Sequence, residues 1–391
     1  MISEPGADAP AMPPSNLGIT IVTCEYPPFP GGIGTYAHQL SENLKRRGCH
    51  VTVIAPKYAK SSLIDVEAGV VRILRHHKIS VRSLFALLRQ IRNRPLNELF
   101  LAADIRSVIA FYLLKPLHGR SFRAMVHGSE ASKFDAASPR FQLAKLAYRA
   151  ADEILYNSKA TQEIFEGGFG RVSSSRVTYL GVDEFWFEPT DTALEHSRLA
   201  DLTQSDRVVC SVGRIEPRKG HIEAIRALAL AQERISVPFI YVVAGRAEGD
   251  QYLANLLREA DRLSVRLVIT GRLSQSDVRR LYGRSLCQLL LASSLPGKME
   301  GFGLVLLEAA AQHCPTIATR SGGIPEVLGE SGVLVNDTSE VADAICRFAT
   351  DVDARLSAGD IANRRAREFT WEKSVDLTFP ETRVPSQVSA G

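Results

Sequence analysis

The chain has 391 residues, 45% of them apolar, with 47 Lys+Arg against 43 Asp+Glu and a net charge of +4. That length exceeds what one hydrophobic core usually organises, so two buried cores are expected and a disordered or disulfide-stapled chain is excluded. The charge excess is N-terminal: residues 1–190 hold 23 basic against 17 acidic side chains, and seven cations (Arg72, Arg75, Lys78, Arg82, Arg89, Arg92, Arg94) run between Glu67 and Glu98 without an acid.

Residues 1–16, rich in Pro and Ala, lack a basic start and an apolar centre, and no run of eighteen apolar residues follows. The expectation is a disordered tail, with neither a signal peptide nor a membrane span. Strand patterns then fall at 18–24, 50–55, 70–74, 123–126, 153–156 and 176–180, with helices over 35–47, 83–92, 140–151 and 159–165. A polar stretch over 184–205, containing a short charged helix, places a domain boundary near residue 190. Strand patterns resume at 207–212, 239–244, 266–270, 288–291 and 316–319. Alternating apolar runs and amphipathic segments predict an α/β chain of two Rossmann-like domains, each a parallel sheet covered by helices. Ligands of such folds sit at the carboxyl ends of the strands, in the cleft. The six cysteines form no CxxC pair and read as small buried hydrophobes of a reducing cytoplasm.

Four segments fall at such strand ends. Pro30-Gly31-Gly32-Ile33-Gly34-Thr35 is either a tight strand-to-helix turn or a place where backbone amides approach a phosphate or sugar. In Gly213-Arg214-Ile215-Glu216-Pro217-Arg218-Lys219-Gly220, Arg214 leaves the strand and Lys219 stands at the start of the next helix. Two cations beside free helix amides suit a diphosphate that no metal neutralises. Glu300-Gly301-Phe302-Gly303 precedes an apolar helix carrying Glu308. At helical rise the two carboxylates stand roughly 12 Å apart, suited to gripping separate hydroxyls of one extended ligand. His127-Gly128-Ser129-Glu130 ends a further strand, where a histidine is either structural or a donor to substrate. Asp351-Val352-Asp353 has the form of a metal-binding DxD, but its place between helical patterns reads as a helix N-cap.

In order and spacing, Gly213-Arg214 with Pro217-Arg218-Lys219-Gly220, the E-x7-E pair Glu300 and Glu308, and Ser321-Gly322-Gly323-Ile324-Pro325-Glu326 resemble the retaining glycosyltransferases of family 4 (group 1), from about residue 18 to 371. The resemblance implies a GT-B fold, two Rossmann-like domains facing each other across a cleft. Residues 17–190 would form the acceptor-side domain, 191–368 the nucleotide-sugar domain, and 369–391 a segment crossing back. It further implies that Arg214 and Lys219 bind the donor diphosphate, Glu300 the sugar hydroxyls and Glu308 the ribose. Backbone amides of Gly301, Phe302 and Gly303 would support sugar and phosphate, His127 would sit by the sugar, Gly31 and Gly32 would line the other wall, and Arg246 and Arg272 would lie near the base. Two departures stand out: Tyr179-Leu180-Gly181-Val182-Asp183 replaces the usual Pro-Asn-Gly-Val-Asp, and Ser294-Leu295-Pro296-Gly297-Lys298-Met299 is distinctive.

The expected activity is thus hexosyl transfer from a nucleoside-diphosphate sugar with retention of configuration, needing no metal or other cofactor. The expected acceptor is a lipid-linked glycan of bacterial envelope polysaccharide synthesis, met at the cytoplasmic face of the membrane. Leu84, Leu87, Leu88 and Ile91 make an apolar stripe flanked by Arg82, Arg89 and Arg92. Residues 72–94 therefore either lie on an anionic membrane surface or form a core-facing helix with solvated arginines. The alternatives are a non-catalytic nucleotide-sugar-binding subunit, a transferase for a soluble acceptor, and an epimerase or phosphorylase on the same fold. Nucleic-acid binding is not expected, because the basic block lacks interleaved aromatics other than Phe85.

Overall fold

The computed structural model describes residues 17–29, 31–58, 69–76, 78–128, 139–190, 196, 198–199, 201–203, 205–294 and 298–383. The tail expected over 1–16, Pro30, Ser129, Glu130 and residues 295–297 lie outside them, as does most of the charged helix expected before 205.

Among the described residues, thirteen strands form two sheets, parallel at every pairing. The first holds β1 (Gly18–Val22), β2 (His50–Pro56), β3 (Val70–Leu74), β4 (Leu99–Ala102), β5 (Arg123–Val126), β6 (Glu153–Tyr156) and β7 (Ser175–Val177), in the order β3-β2-β1-β4-β5-β6-β7. The second holds β8 (Val208–Val212), β9 (Ile240–Ala244), β10 (Arg266–Gly271), β11 (Cys287–Leu290), β12 (Thr316–Thr319) and β13 (Val333–Val335), in the order β10-β9-β8-β11-β12-β13. The central strands are runs such as Ile-Tyr-Val-Val-Ala in β9, buried at every residue, as strands covered on both faces must be. Strand order reverses between β1 and β4 and again between β8 and β11, which leaves a crevice at the strands' carboxyl ends.

The first sheet carries α1 (Gly32–Arg46), α2 (Val81–Arg92), α3 (Ile105–His118), α4 (Pro139–Arg149) and α5 (Lys159–Phe169). The second carries α6 (His221–Ile235), α7 (Asp250–Arg262), α8 (Gln275–Arg284), α9 (Leu304–Ala311), α10 (Ile324–Leu328), α11 (Thr338–Thr350) and α12 (Val352–Ala366). A last helix, α13 (Trp371–Thr378), packs on α1 beside the first sheet. Arg47 pairs with Asp376 at 2.6 Å, the Ser374 hydroxyl donates to the Tyr179 carbonyl at 3.0 Å, and Arg176 donates to the Leu377 carbonyl at 3.1 Å. Gly181 makes this docking possible, since a Cβ there would come within 2.3 Å of the Trp371 nitrogen.

In α2, Leu87 and Ile91 are fully buried and Leu84 and Leu88 pack against the core, so of the two readings of the apolar stripe the core-facing helix is the one the fold adopts. Val81 and Phe85 are instead the exposed apolar residues, next to exposed Arg82, Arg89 and Arg92. The acid pair at Asp351 and Asp353 opens α12: the Asp351 carboxylate accepts from the Ala354 amide at 2.8 Å and caps the helix. Asp351→Ala is expected to lower stability by about 1 kcal/mol in a denaturant titration, the usual effect of a lost N-cap, and to leave ligand binding at the cleft unaltered.

Candidate active site

β8 ends at Val212, and the chain turns through Gly213 and Arg214 into a 3-10 turn at Pro217–Lys219. Gly220 then adopts a left-handed conformation (φ 71°) with its α-carbon packed on β11's end, where a Cβ would sit 2.1 Å from the Leu291 carbonyl oxygen. That contact seats the N-terminus of α6 at the crevice, with Lys219 just ahead of it rather than in the helix proper. Lys219 Nζ lies 2.6 Å from Glu300 Oε2, and Arg218 Nη1 reaches the same oxygen at 2.8 Å. Arg218, almost fully buried, also holds buried Glu216 at 2.9 Å. Arg214 lies on the rim, paired with Glu248 and 3.4 Å from Glu216, and Lys298 stands 3.9 Å from Glu216. Four cations thus share three carboxylates, and the surplus positive charge beside a helix N-terminus favours an anionic ligand.

The two glutamates of the E-x7-E pair have opposite electrostatics. Burial pushes Glu300 up, but the Lys219 ammonium and Arg218 guanidinium outweigh it and hold its carboxyl at about 2. Glu308, on α9, makes no hydrogen bond or ion pair among the described residues, and burial alone raises it to about 7. A desolvated carboxyl without donors is unfavourable unless a ligand supplies them.

Across the crevice, Gly31 and Gly32 are exposed where α1 begins, with nothing within 4 Å of a Cβ at Gly32. His127, next after β5, donates from Nε2 to the Ala103 carbonyl at 3.0 Å and sets its ring edge-on to Tyr36. Burial pulls it down to about 4, so the imidazole is neutral at physiological pH. Gly128 and Gly301 bring the two sheets' loops together through bare backbone: a Cβ on Gly128 would lie 2.3 Å from Gly301 Cα. The Gly301 carbonyl accepts from Ser158 Oγ at 2.7 Å, and Glu326 of α10 accepts from the Lys159 amide at 2.8 Å.

Lys219 and Glu300 are therefore in contact, Arg214 joins them through Glu216, and His127 adjoins Gly301 through Gly128. Arg246 and Arg272 are exposed beyond β9 and β10 and pair with none of these groups. The Phe302 ring is buried against Phe369 and Tyr179. Arg218, Glu216 and Glu248 were not singled out from sequence; Arg218 lay inside a noted motif, but its partner stands 82 residues away.

A family model described as glycosyl transferases group 1 matches residues 196–365, and one described as glycosyltransferase family 4 matches 30–184. The chain belongs to the group 1, family 4 glycosyltransferases. This glycosyltransferase is 26% identical to the D-inositol 3-phosphate glycosyltransferase of Corynebacterium jeikeium, across 88% of its own length and 90% of the relative's. It is 27% identical to the GDP-mannose-dependent alpha-(1-6)-phosphatidylinositol monomannoside mannosyltransferase of Mycolicibacterium smegmatis, across 90% and 94%. Among solved structures, Anabaena HepE in complex with UDP and glucose superposes with a TM-score of 0.76 at 19% identity, covering 94% of this chain and 99% of that one. The two-sheet architecture is the GT-B fold, and the chain's role is sugar transfer.

Proposed function

We propose that this glycosyltransferase moves a hexosyl group from a nucleoside-diphosphate sugar to an acceptor hydroxyl with retention of configuration and without a metal ion. The observation that carries the reading is the cluster at the start of α6, where Lys219 and Arg218 fix Glu300 while Glu308 stands without a donor. Departure of the diphosphate builds negative charge on its oxygens and positive charge on the sugar ring. Lys219, Arg214 and the α6 amides act on the first charge as preorganised groups, the role a metal would otherwise fill. Glu300, anchored by its cations, presents its remaining oxygen to sugar hydroxyls, and Glu308 accepts from the ribose. The neutral His127 and the Gly301–Gly303 amides border the sugar, and Arg246 and Arg272 flank the base. The acceptor attacks from the face the diphosphate leaves, and a phosphate oxygen takes its proton. Residues 191–368 then carry the donor, residues 17–190 the acceptor, and the segment from 369 joins the two.

For the donor, support comes from relatives whose names specify GDP-mannose and from the HepE complexes with UDP-glucose. For the acceptor we favour a lipid-linked glycan at the cytoplasmic membrane face, in envelope polysaccharide synthesis. Phosphatidylinositol mannoside is the acceptor named for several relatives, and exposed Val81 and Phe85 beside Arg82, Arg89 and Arg92 suit an anionic surface. No described helix is long and apolar enough to cross a membrane.

A thermal-shift screen of nucleoside diphosphates and nucleotide sugars in the presence of chelator tests the donor side. Stabilisation by one nucleotide series is expected, and proton NMR of the product should show the donor's anomeric configuration. An inverted product rejects retention, and a requirement for magnesium rejects metal independence. No shift under any condition removes the donor site and favours a subunit without catalysis.

A further inference from the structure

Asn157 follows β6 directly, at the carboxyl edge of the first sheet where its loops meet Gly301. The side chain is 4% exposed, and its Oδ1 is buried without a hydrogen-bond partner. Its Nδ2 lies 3.0 Å from where a Cβ on Gly301 would be, so only a glycine leaves the amide room beside the loop that runs from Glu300 to Gly303. The neighbouring polar groups are committed elsewhere. Ser158 Oγ donates to the Gly301 carbonyl and accepts from the Thr161 amide at 3.0 Å, and His127 donates to Ala103. Buried amide oxygens are paired in nearly all folded proteins, because each one left unpaired forfeits its hydration. Packing gives no reason for a carboxamide here, since an apolar residue would fill the space without that cost.

We infer that Asn157 is a specificity-determining residue whose carboxamide reads a hydroxyl of the donor sugar, beside the loop that carries Glu300. The inference rests on the donor-site reading above. A planar amide both accepts from a hydroxyl through Oδ1 and donates to one through Nδ2, so it distinguishes an equatorial hydroxyl from its axial epimer by direction. Glu300, fixed by two cations, accepts only; Asn157 adds the donor that a hydroxyl's own oxygen requires.

The test is calorimetric binding of UDP, GDP, and the epimeric pairs UDP-glucose with UDP-galactose and GDP-mannose with GDP-glucose. Wild type, Asn157→Ala and the isosteric Asn157→Asp are compared. Asn157→Ala is expected to weaken binding of the preferred epimer by about 10- to 100-fold, to bring the ratio between epimers towards one, and to leave the bare diphosphate's affinity unchanged. Asn157→Asp, which keeps the shape and loses the donor, should change the epimer ratio too and serves if the alanine variant does not fold. An unchanged ratio in folded variants overturns the inference, and so does an equal loss for bare diphosphate, which marks a structural amide. If the wild type binds no diphosphate, the donor-site reading itself fails and takes this inference with it; binding with an unaltered ratio rejects the inference alone.

Discussion

Lys219→Ala is expected to lower kcat for sugar transfer by about 10²- to 10³-fold at saturating donor, the loss typical when one preorganised charge partner of a transition state is removed. The residue sits just before the N-terminus of α6 with its side chain 10% exposed and its ammonium 2.6 Å from Glu300. Arg218 still pairs with Glu300 in the variant, so the carboxylate stays ionised and the local backbone keeps its anchor. The effect should therefore fall on the rate more than on stability, and Lys219→Arg should recover part of it. A variant with unchanged kcat would show that this ammonium only neutralises Glu300. Equal losses in melting temperature and rate would point to a folding defect.

The second large effect concerns Glu308 and is read as a pH dependence. Its carboxyl is raised to about 7 by burial, against an ordinary value of 4.5, so in the ligand-free protein it is protonated below neutrality and loses its proton as pH rises through about 7. A folded-state value raised in this way means that stability, fully present below the unfolded pKa, is lost as pH rises towards 7. Hydroxyl donors from a ribose favour the charged form, so donor binding should release a proton. Affinity for a nucleotide sugar should then rise by up to about tenfold per pH unit below about pH 7 and level off above it. A nucleotide sugar is the probe to use, because its diphosphate diester has no ionisation in this range. Glu308→Gln should flatten the profile and weaken binding by roughly 10- to 100-fold, the scale of a lost charge-assisted hydrogen bond. A flat wild-type profile, or a slope that survives in Glu308→Gln, would remove Glu308 from the ribose site.

Strands such as β1, β2, β8 and β9 were legible in the sequence because each is a compact apolar run between breakers, as buried parallel strands must be. β4 and α3 were not. β4 is only Leu99–Ala102, and α3 is apolar nearly all round, with Pro116 inside it and Phe111 and Val108 fully buried, so no helical period marks it. Among the functional candidates, Lys219, Glu300 and Glu308 could be named from motif spacing. The knot that ties Lys219 to Glu300 could not: Arg218 reads as one more cation of a basic turn until the fold sets it beside Glu300. Asn157 was invisible for a different reason. Its interest lies in a missing partner, and only three-dimensional surroundings reveal that an amide has none.

Because α13 belongs in space with the first sheet, the polypeptide passes between the two sheets twice. A single cut between β7 and β8 cannot yield two self-sufficient pieces. The upstream fragment would bare the surface of α1 that α13 covers. The downstream fragment would carry Trp371, Val375 and Phe379, all buried in the intact chain, as an apolar tail with nowhere to pack. Anyone seeking the second sheet with its helices as an isolated piece should stop the chain ahead of Trp371 as well, and anyone rebuilding the first sheet's half by exchange with a relative should move both ends of the chain together.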